Sequence, residues 1–293
     1  MAGKVLGVIG GSGLYDIDGL ENAQWIDVES PWGAPSDAIL SGALGDTRVF
    51  FLPRHGRGHV HSPGSINFRA NIDAMKRCGV TDILSLSAVG SLKEDLAPGH
   101  FVLVDQFIDR TFAREKSFFG EGFVAHVPLA HPTSPFLADI AEAGLKQQAT
   151  PYQRGGAYVV MEGPQFSTLA ESKLYRSWGA DVIGMTNMPE AKLAREAEIR
   201  YATVAMVTDF DCWHEDHDTV DVAIVIRTLQ QNAGKAKALT KYVLEHLNSW
   251  PEEPACGTDT VLDTALITHP ASRDPAMAAK LEPILRRVLS AKG

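Results

Sequence analysis

Short apolar runs alternate with helix-patterned segments along almost the whole chain, and this alternation limits the fold to a sheet covered by helices. Residues 5–9, 49–52, 82–88, 101–108, 157–161, 181–185 and 202–207 read as strands. Residues 67–78, 134–148, 168–178, 189–197 and 218–247 carry helical spacing or helix-forming composition. Residues 111–128 are polar, glycine-containing and aromatic, and read as a long surface loop. Residues 248–258, which contain Trp250-Pro251-Glu252-Glu253-Pro254, read as a connector to two short helical stretches at 261–267 and 275–290. The division expected is therefore 1–248 for the α/β unit. Residues 249–293 are a helical extension, packed on the same domain or on a neighbouring subunit.

Charge and cysteine usage narrow the partners. The 293 residues carry a net charge of -9 and no long basic run, which argues against nucleic acid and against an anionic membrane surface. Cys78, Cys212 and Cys256 are far apart in sequence and form no CxxC pair, so a reducing compartment is expected rather than a disulfide frame or a zinc ribbon. No apolar run is long enough to cross a bilayer, and a soluble, cytoplasmic protein is the expectation.

The most informative strand is 202–207, because it ends in Thr208, Asp209, Phe210 and Asp211. In extended chain, carboxylates two apart point the same way. Two like charges repel, and burial raises both pKa values. Such a pair is either solvated at a turn or satisfied by a ligand. One protonated and one ionised carboxylate suit an acceptor beside a donor, as on the N7 and 6-amino edge of adenine. Elsewhere, residues 5–9 run into Gly10-Gly11-Ser12-Gly13. The glycines permit a tight turn or an anion site, and on these residues alone both readings stand. The spacing is not GxGxxG, which argues against a dinucleotide-dependent oxidoreductase. After residues 49–52, Arg54 brings a fork of donors and His55 a further donor. His55, His59 and His61 also permit a metal loop, but no carboxylate or cysteine cluster follows them, and no metal is expected.

Five segments in order resemble the 5'-methylthioadenosine phosphorylases of the purine nucleoside phosphorylase superfamily. They are Gly10 to Leu14, Pro53 to Gly56, Glu162 to Ser167, Gly184 to Ala191 and Thr208 to Trp213, and the resemblance spans residues 5 to 245. It implies a single α/β domain with a central mixed sheet and a small partial barrel, flanked by helices. It also implies a homotrimer, with inorganic phosphate as co-substrate and no cofactor.

The resemblance assigns phosphate binding to Ser12, Arg54, His55, Ser87 and Thr186, with Ala88 leaving room for the ribose. It sets Phe166 on the purine face and Met185 on the ribose. Ser167 stands where the 6-oxopurine enzymes carry glutamate, and Thr208, Asp209 and Asp211 contact the base. His126 reaches into the site of a neighbouring subunit. Val222, Val225 and Ile226 offer an apolar wall where 5'-hydroxyl enzymes have a histidine, which favours a methylthio group. Gly184 stands where relatives often have a polar residue. The implied reaction is phosphorolysis in methionine and purine salvage. The alternatives are a phosphorylase for adenosine or a 6-oxopurine nucleoside such as methylthioinosine, and a noncatalytic nucleoside-binding protein.

Overall fold

The computed structural model describes residues 3–11, 14, 17–214, 222–251 and 257–290. Its strands are β1 (Leu6–Gly10), β2 (Glu21–Ile26), β3 (Ile39–Leu44), β4 (Thr47–Pro53), β5 (Asp82–Ser91), β6 (Phe101–Val104), β7 (Gln106–Arg110), β8 (Tyr152–Arg154), β9 (Ala157–Met161), β10 (Val182–Gly184) and β11 (Arg200–Asp209). Its helices are α1 (Phe68–Arg77), α2 (Pro135–Gln147), α3 (Leu169–Ser177), α4 (Asn187–Glu196), α5 (Val222–His246), α6 (Leu262–Ala265), α7 (Pro275–Lys280) and α8 (Glu282–Ser290).

All eleven strands join one mixed sheet, in the order β2-β3-β4-β1-β5-β10-β9-β7. A branch leaves β5 through β11, which pairs with β6, and β6 pairs with β8. The branching strand β5 is buried along nearly its whole length, as a parallel strand covered on both faces must be. On one edge, β1 pairs with it as far as Ser85, and β10 joins only at Gly90. Leu86 to Val89 lie between these two pairings, where the sheet opens.

Most of the core lies in two layers, and β11 shows why; a smaller third cluster holds Leu92, Val159, Tyr175, Ala180 and Ile183. Tyr201, Ala205 and Val207 face the layer that contains Ile72 of α1 and Leu193 of α4. Ala202, Val204 and Met206 face the layer that contains Leu137 of α2 and Leu239 of α5. This is the two-residue period of a strand buried on both sides. The end of the chain shares the first layer: Val261, Leu281, Ile284, Leu285 and Val288 pack there with Ile72 and Met75.

Three expectations need correction. The strand expected over 101–108 is two strands, broken at Asp105. Its Oδ1 accepts the Gly156 N–H at 3.0 Å, and the chain passes from the β11 branch to the β9 branch at that point. Residues 111–128 are not a surface loop throughout, because Phe118, Phe119 and Phe123 are buried. Glu196 holds this segment down, accepting from Ser117 Oγ and from the Phe118 N–H, each at 2.7 Å. The two stretches expected near the end of the chain are three short helices. Sequence patterning also missed β2, β3 and β8, which are short or exposed and lack a long apolar run. Among the described residues, no helix is long and apolar enough to cross a membrane.

Candidate active site

A cavity of about 610 Å³ opens at the fork of the sheet. Its lining includes Leu86 to Gly90 of β5, Arg54 and His55 after β4, Gly184 to Thr186 after β10, Asp209 and Asp211 at the end of β11, and one face of α5. The strand ends that converge here are those at which open α/β sheets place ligands.

One end is rich in hydrogen-bond donors. Arg54 is 2% exposed. Its Nε and Nη2 grip Glu190 at 2.7 and 2.9 Å, Nη2 also reaches Ser85 Oγ at 2.6 Å, and Nη1 donates to the Leu86 carbonyl at 3.1 Å. A guanidinium has five N–H groups. The fork expected to clamp an anion is thus turned onto Glu190, and one Nη1 hydrogen remains for the cavity. Glu190 is held further by Ser85 and Tyr201, each donating at 2.8 Å. Ser87 Oγ lies 3.1 Å from Thr186 Oγ1, and both residues line the cavity with Ala88 and Gly11. Ser12 lies outside the described residues.

His55 corrects one expectation. Its Nδ1 is 2.9 Å from the His61 carbonyl and so carries the proton. Burial takes its pKa down to about 4. The neutral ring therefore presents Nε2 as an acceptor, suited to a protonated phosphate oxygen, and is not a second donor. His59 stacks on it at 4.2 Å, and both His59 and His61 line the cavity. His61 Nε2 lies 3.2 Å from the Ser36 carbonyl. These ring nitrogens thus face backbone oxygens. Among the described residues, no group of three His, Cys, Asp or Glu could hold a metal ion.

The opposite end holds the paired carboxylates. The extended spacing expected of them does not hold, because β11 is irregular between Val207 and Asp209, and Asp211 sits in a turn at φ 53°. Both nevertheless line the cavity. Gly90 makes room: a Cβ there would lie 3.0 Å from Asp209 Oδ1 and 3.3 Å from Asp211 Cβ. Asp209 accepts from Thr208 Oγ1 at 2.7 Å and from the Asp211 N–H at 2.8 Å. Burial nonetheless raises its pKa. Burial, aided by the charge of Asp209, pushes Asp211 up to about 6.

A stability test follows from the sign of this shift. A carboxyl raised in the folded state contributes stability that is complete below its unfolded pKa and lost as pH rises through about 6. Asp211→Asn has no charge to bury, and Asn tolerates a positive φ. The variant is expected to gain a few degrees in Tm relative to the parent between pH 4 and pH 8. Melting curves of both proteins at the two pH values check this, and a constant difference would contradict it.

Phe166, Met161 and Pro164 add an apolar wall to the cavity, and Phe166 is 47% exposed. Ser167 lies behind this wall: its Oγ faces Met161 Sδ, and its carbonyl accepts from Cys212 Sγ at 3.3 Å. Met185 lines the middle of the cavity. Gly163, at φ 68°, allows this, since a Cβ there would come 2.5 Å from Met185 Sδ. The buried Arg114 fixes the backbone of both segments, donating to the Met185 and Glu162 carbonyls at 2.7 and 2.6 Å. No motif had marked Arg114 in the sequence.

On α5, the wall is Val225, Leu229 and Ala233, four residues apart. Leu229 and Ala233 continue the helix face that Val225 begins, and neither had been marked as a site residue in the sequence. Ile226, one position on, is rotated about 100° around the helix and lies off the wall, 49% exposed. The side chain of Val222 lies outside the described residues. His126 does not reach this cavity within one chain; it is exposed, and its N–H bonds to the Ala265 carbonyl at 2.9 Å.

With this geometry in hand, the chain can be set beside known proteins. Residues 5–245 match the model of the phosphorylase superfamily. The chain is 65% identical to an S-methyl-5'-thioadenosine phosphorylase of Rhodospirillum rubrum over 97% of each protein. It is 59% identical to one of Cereibacter sphaeroides, over 97% of this chain and 98% of that one. Among solved structures, a methylthioadenosine phosphorylase from an antarctic soil metagenomic library superposes with a TM-score of 0.90 at 45% identity, covering 97% of this chain and 100% of that one. A methylthioadenosine phosphorylase of Schistosoma mansoni in complex with adenine gives 0.78 at 34% identity, over 85% and 93%. A forked mixed sheet, a donor-rich pole facing a carboxylate pair, and likeness over nearly the full length lead to one conclusion: the chain belongs to the phosphorylase superfamily, among its S-methyl-5'-thioadenosine phosphorylases.

Proposed function

We propose that this protein phosphorolyses S-methyl-5'-thioadenosine to adenine and 5-methylthioribose 1-phosphate, a step of methionine and purine salvage. The observation that carries the reading is a single cavity with hydroxyl and guanidinium donors at one end, a raised carboxylate pair at the other and an apolar helix face along its wall. Phosphate held by Ser12, Arg54, His55, Ser87 and Thr186 lies under the anomeric carbon, beside Ala88. One of its oxygens forms the new C–O bond as the C–N bond to the base breaks. Positive charge develops on the sugar, as in other glycosyl transfers, and the bound anion stabilises it. The electron pair of the C–N bond leaves with the base, and a proton passes to N7 from the Asp209–Asp211 pair. Phe166 stacks on the purine, Met185 lies against the ribose, and Thr208 supports Asp209. Ser167 keeps a glutamate away from the adenine edge.

Val225 and Leu229 offer no polar partner to a 5'-hydroxyl. An unpaired buried hydroxyl costs about 1–3 kcal/mol, and apolar pockets reject hydroxyl analogues by about a hundredfold. Adenosine is therefore expected to be a slow substrate. The experiment is adenine release from both nucleosides, with and without inorganic phosphate, in the parent and in Val225→His. Release that needs no phosphate would remove the reaction. A parent that prefers adenosine, or a histidine variant with an unchanged ratio, would remove the methylthio pocket.

We further read the assembly as a homotrimer with His126 contributing to a neighbouring copy's site. Ile267, at 59% exposure and bonded through its N–H to the Val124 carbonyl, supports a covered face beside that histidine. Light scattering that gives three times the chain mass is the expected result. The extension expected over 249–293 is read as part of the same domain, because its residues from Val261 to Val288 share a core layer with α1.

A further inference from the structure

We propose that Tyr158 is a positioning residue of the anion subsite: its phenol donates to Ser87 Oγ and so frees the Ser87 and Thr186 hydroxyl hydrogens for a bound phosphate. The inference rests on the phosphate reading above. Tyr158 is fully buried on β9. Its hydroxyl lies 3.1 Å from Ser87 Oγ, and Ser87 Oγ lies 3.1 Å from Thr186 Oγ1. The ring is held on one side by Phe107, with centroids 5.9 Å apart. On the other side, the chain has made room for it: a Cβ at Gly184 would come 2.1 Å from the phenol oxygen. The glycine thus leaves open the space that the phenol oxygen fills.

The hydrogens decide what this group does. Each of the three hydroxyls has one hydrogen and can also accept. Burial keeps the phenol pKa above its ordinary value, so its hydrogen is present throughout the neutral range. Donated to Ser87 Oγ, that hydrogen satisfies the serine oxygen and leaves the serine hydrogen able to turn from the Ala88 carbonyl, 3.4 Å away, to a bound anion. Without it, Ser87 Oγ is an unfilled acceptor beside Thr186 and draws the threonine hydrogen away from the anion. Tyr158 does not line the cavity; its phenol meets both Ser87 and Thr186, and it acts through these two hydroxyls.

The test compares parent, Tyr158→Phe, Ser87→Ala and the double variant. It uses titration with inorganic phosphate, kcat and KM for both substrates, and melting curves. Tyr158→Phe is expected to weaken phosphate binding and raise phosphate KM about tenfold, the worth of one hydrogen bond to an anion, with nucleoside KM nearly unchanged. In the Ser87→Ala background, the same substitution is expected to change phosphate binding several-fold less than in the parent, because the main path of action is already cut. Equal effects in the two backgrounds would overturn the inference, as would a lowered Tm with phosphate affinity intact. The titration keeps the two readings apart. Phosphate binding that weakens as expected supports the role of Tyr158 even if no adenine is released, and adenine release that needs no phosphate counts against the reaction alone.

Discussion

Asp209→Asn is expected to lower kcat/KM for S-methyl-5'-thioadenosine by about a hundred- to ten-thousand-fold, the usual worth of a positioned general acid. The structure explains why the loss would be chemical and not a matter of folding. Asp209 accepts at both oxygens, from Thr208 Oγ1 and from the Asp211 N–H. In the variant, Oδ1 can keep the Asp211 N–H. Thr208 can turn its hydrogen to the Val89 carbonyl, already 3.1 Å away, and accept from the new amide. The free amide hydrogen can then donate to N7, and the other contacts persist. What disappears is a transferable proton. An amide also tolerates a 6-oxo group, so activity on methylthioinosine is expected to rise relative to methylthioadenosine. Two kcat/KM values for each protein decide it, and an unchanged ratio would take Asp209 out of the base site.

The second large effect lies at the other end of the cavity. Arg54→Ala is expected to destabilise the protein by about 3–5 kcal/mol, because it leaves Glu190 buried and unpaired. Molecules that remain folded should show a raised phosphate KM and a lowered kcat, since the anion contacts the charged transition state. Glu190→Gln separates the two consequences. The side chains of Arg54 and Glu190 are 2% and 1% exposed. The glutamine leaves the guanidinium uncompensated and costs stability, but Glu190 lies behind Arg54 and not against the anion. Its effect on phosphate KM at a temperature where the variant is folded should be the smaller of the two. Chemical denaturation with phosphate-dependent kinetics on all three proteins measures this. Equal stability of Arg54→Ala and the parent would refute the account of the pair.

The frame of the fold was legible because buried parallel strands are written as continuous apolar runs, and α4, β9 and β11 stand within a few residues of their expected bounds. The helical dihedrals of α4 resume after Met188, where the proline in the sequence had placed the start. What escaped was set by pairing rather than by local pattern. Nothing at Asp105 announces a change of sheet branch, and β2 is exposed along its length. The site residues were visible as polar ends of apolar strands, but their partners were not. That the Arg54 fork faces a glutamate 136 positions later could not be read from a loop motif. The histidine tautomer at position 55 depends on a carbonyl six residues away. The inclusion of Val225 and exclusion of Ile226 needed the rotation of α5 about its axis.

The buried Arg54–Glu190 pair also bears on the setting in which the protein works. Arg54, the cation at the donor-rich end, is neutralised from behind, so an incoming anion meets oriented dipoles and a single N–H rather than a surplus of positive charge. Dissolved ions screen exposed charges within about 10 Å at 0.1 M, and have little to act on here. Phosphate affinity should then vary little between dilute buffer and concentrated potassium chloride. A protein of net charge -9 would otherwise lose or gain a weakly held anion with every change in ionic strength. Occupancy of the subsite is left to follow the supply of phosphate itself.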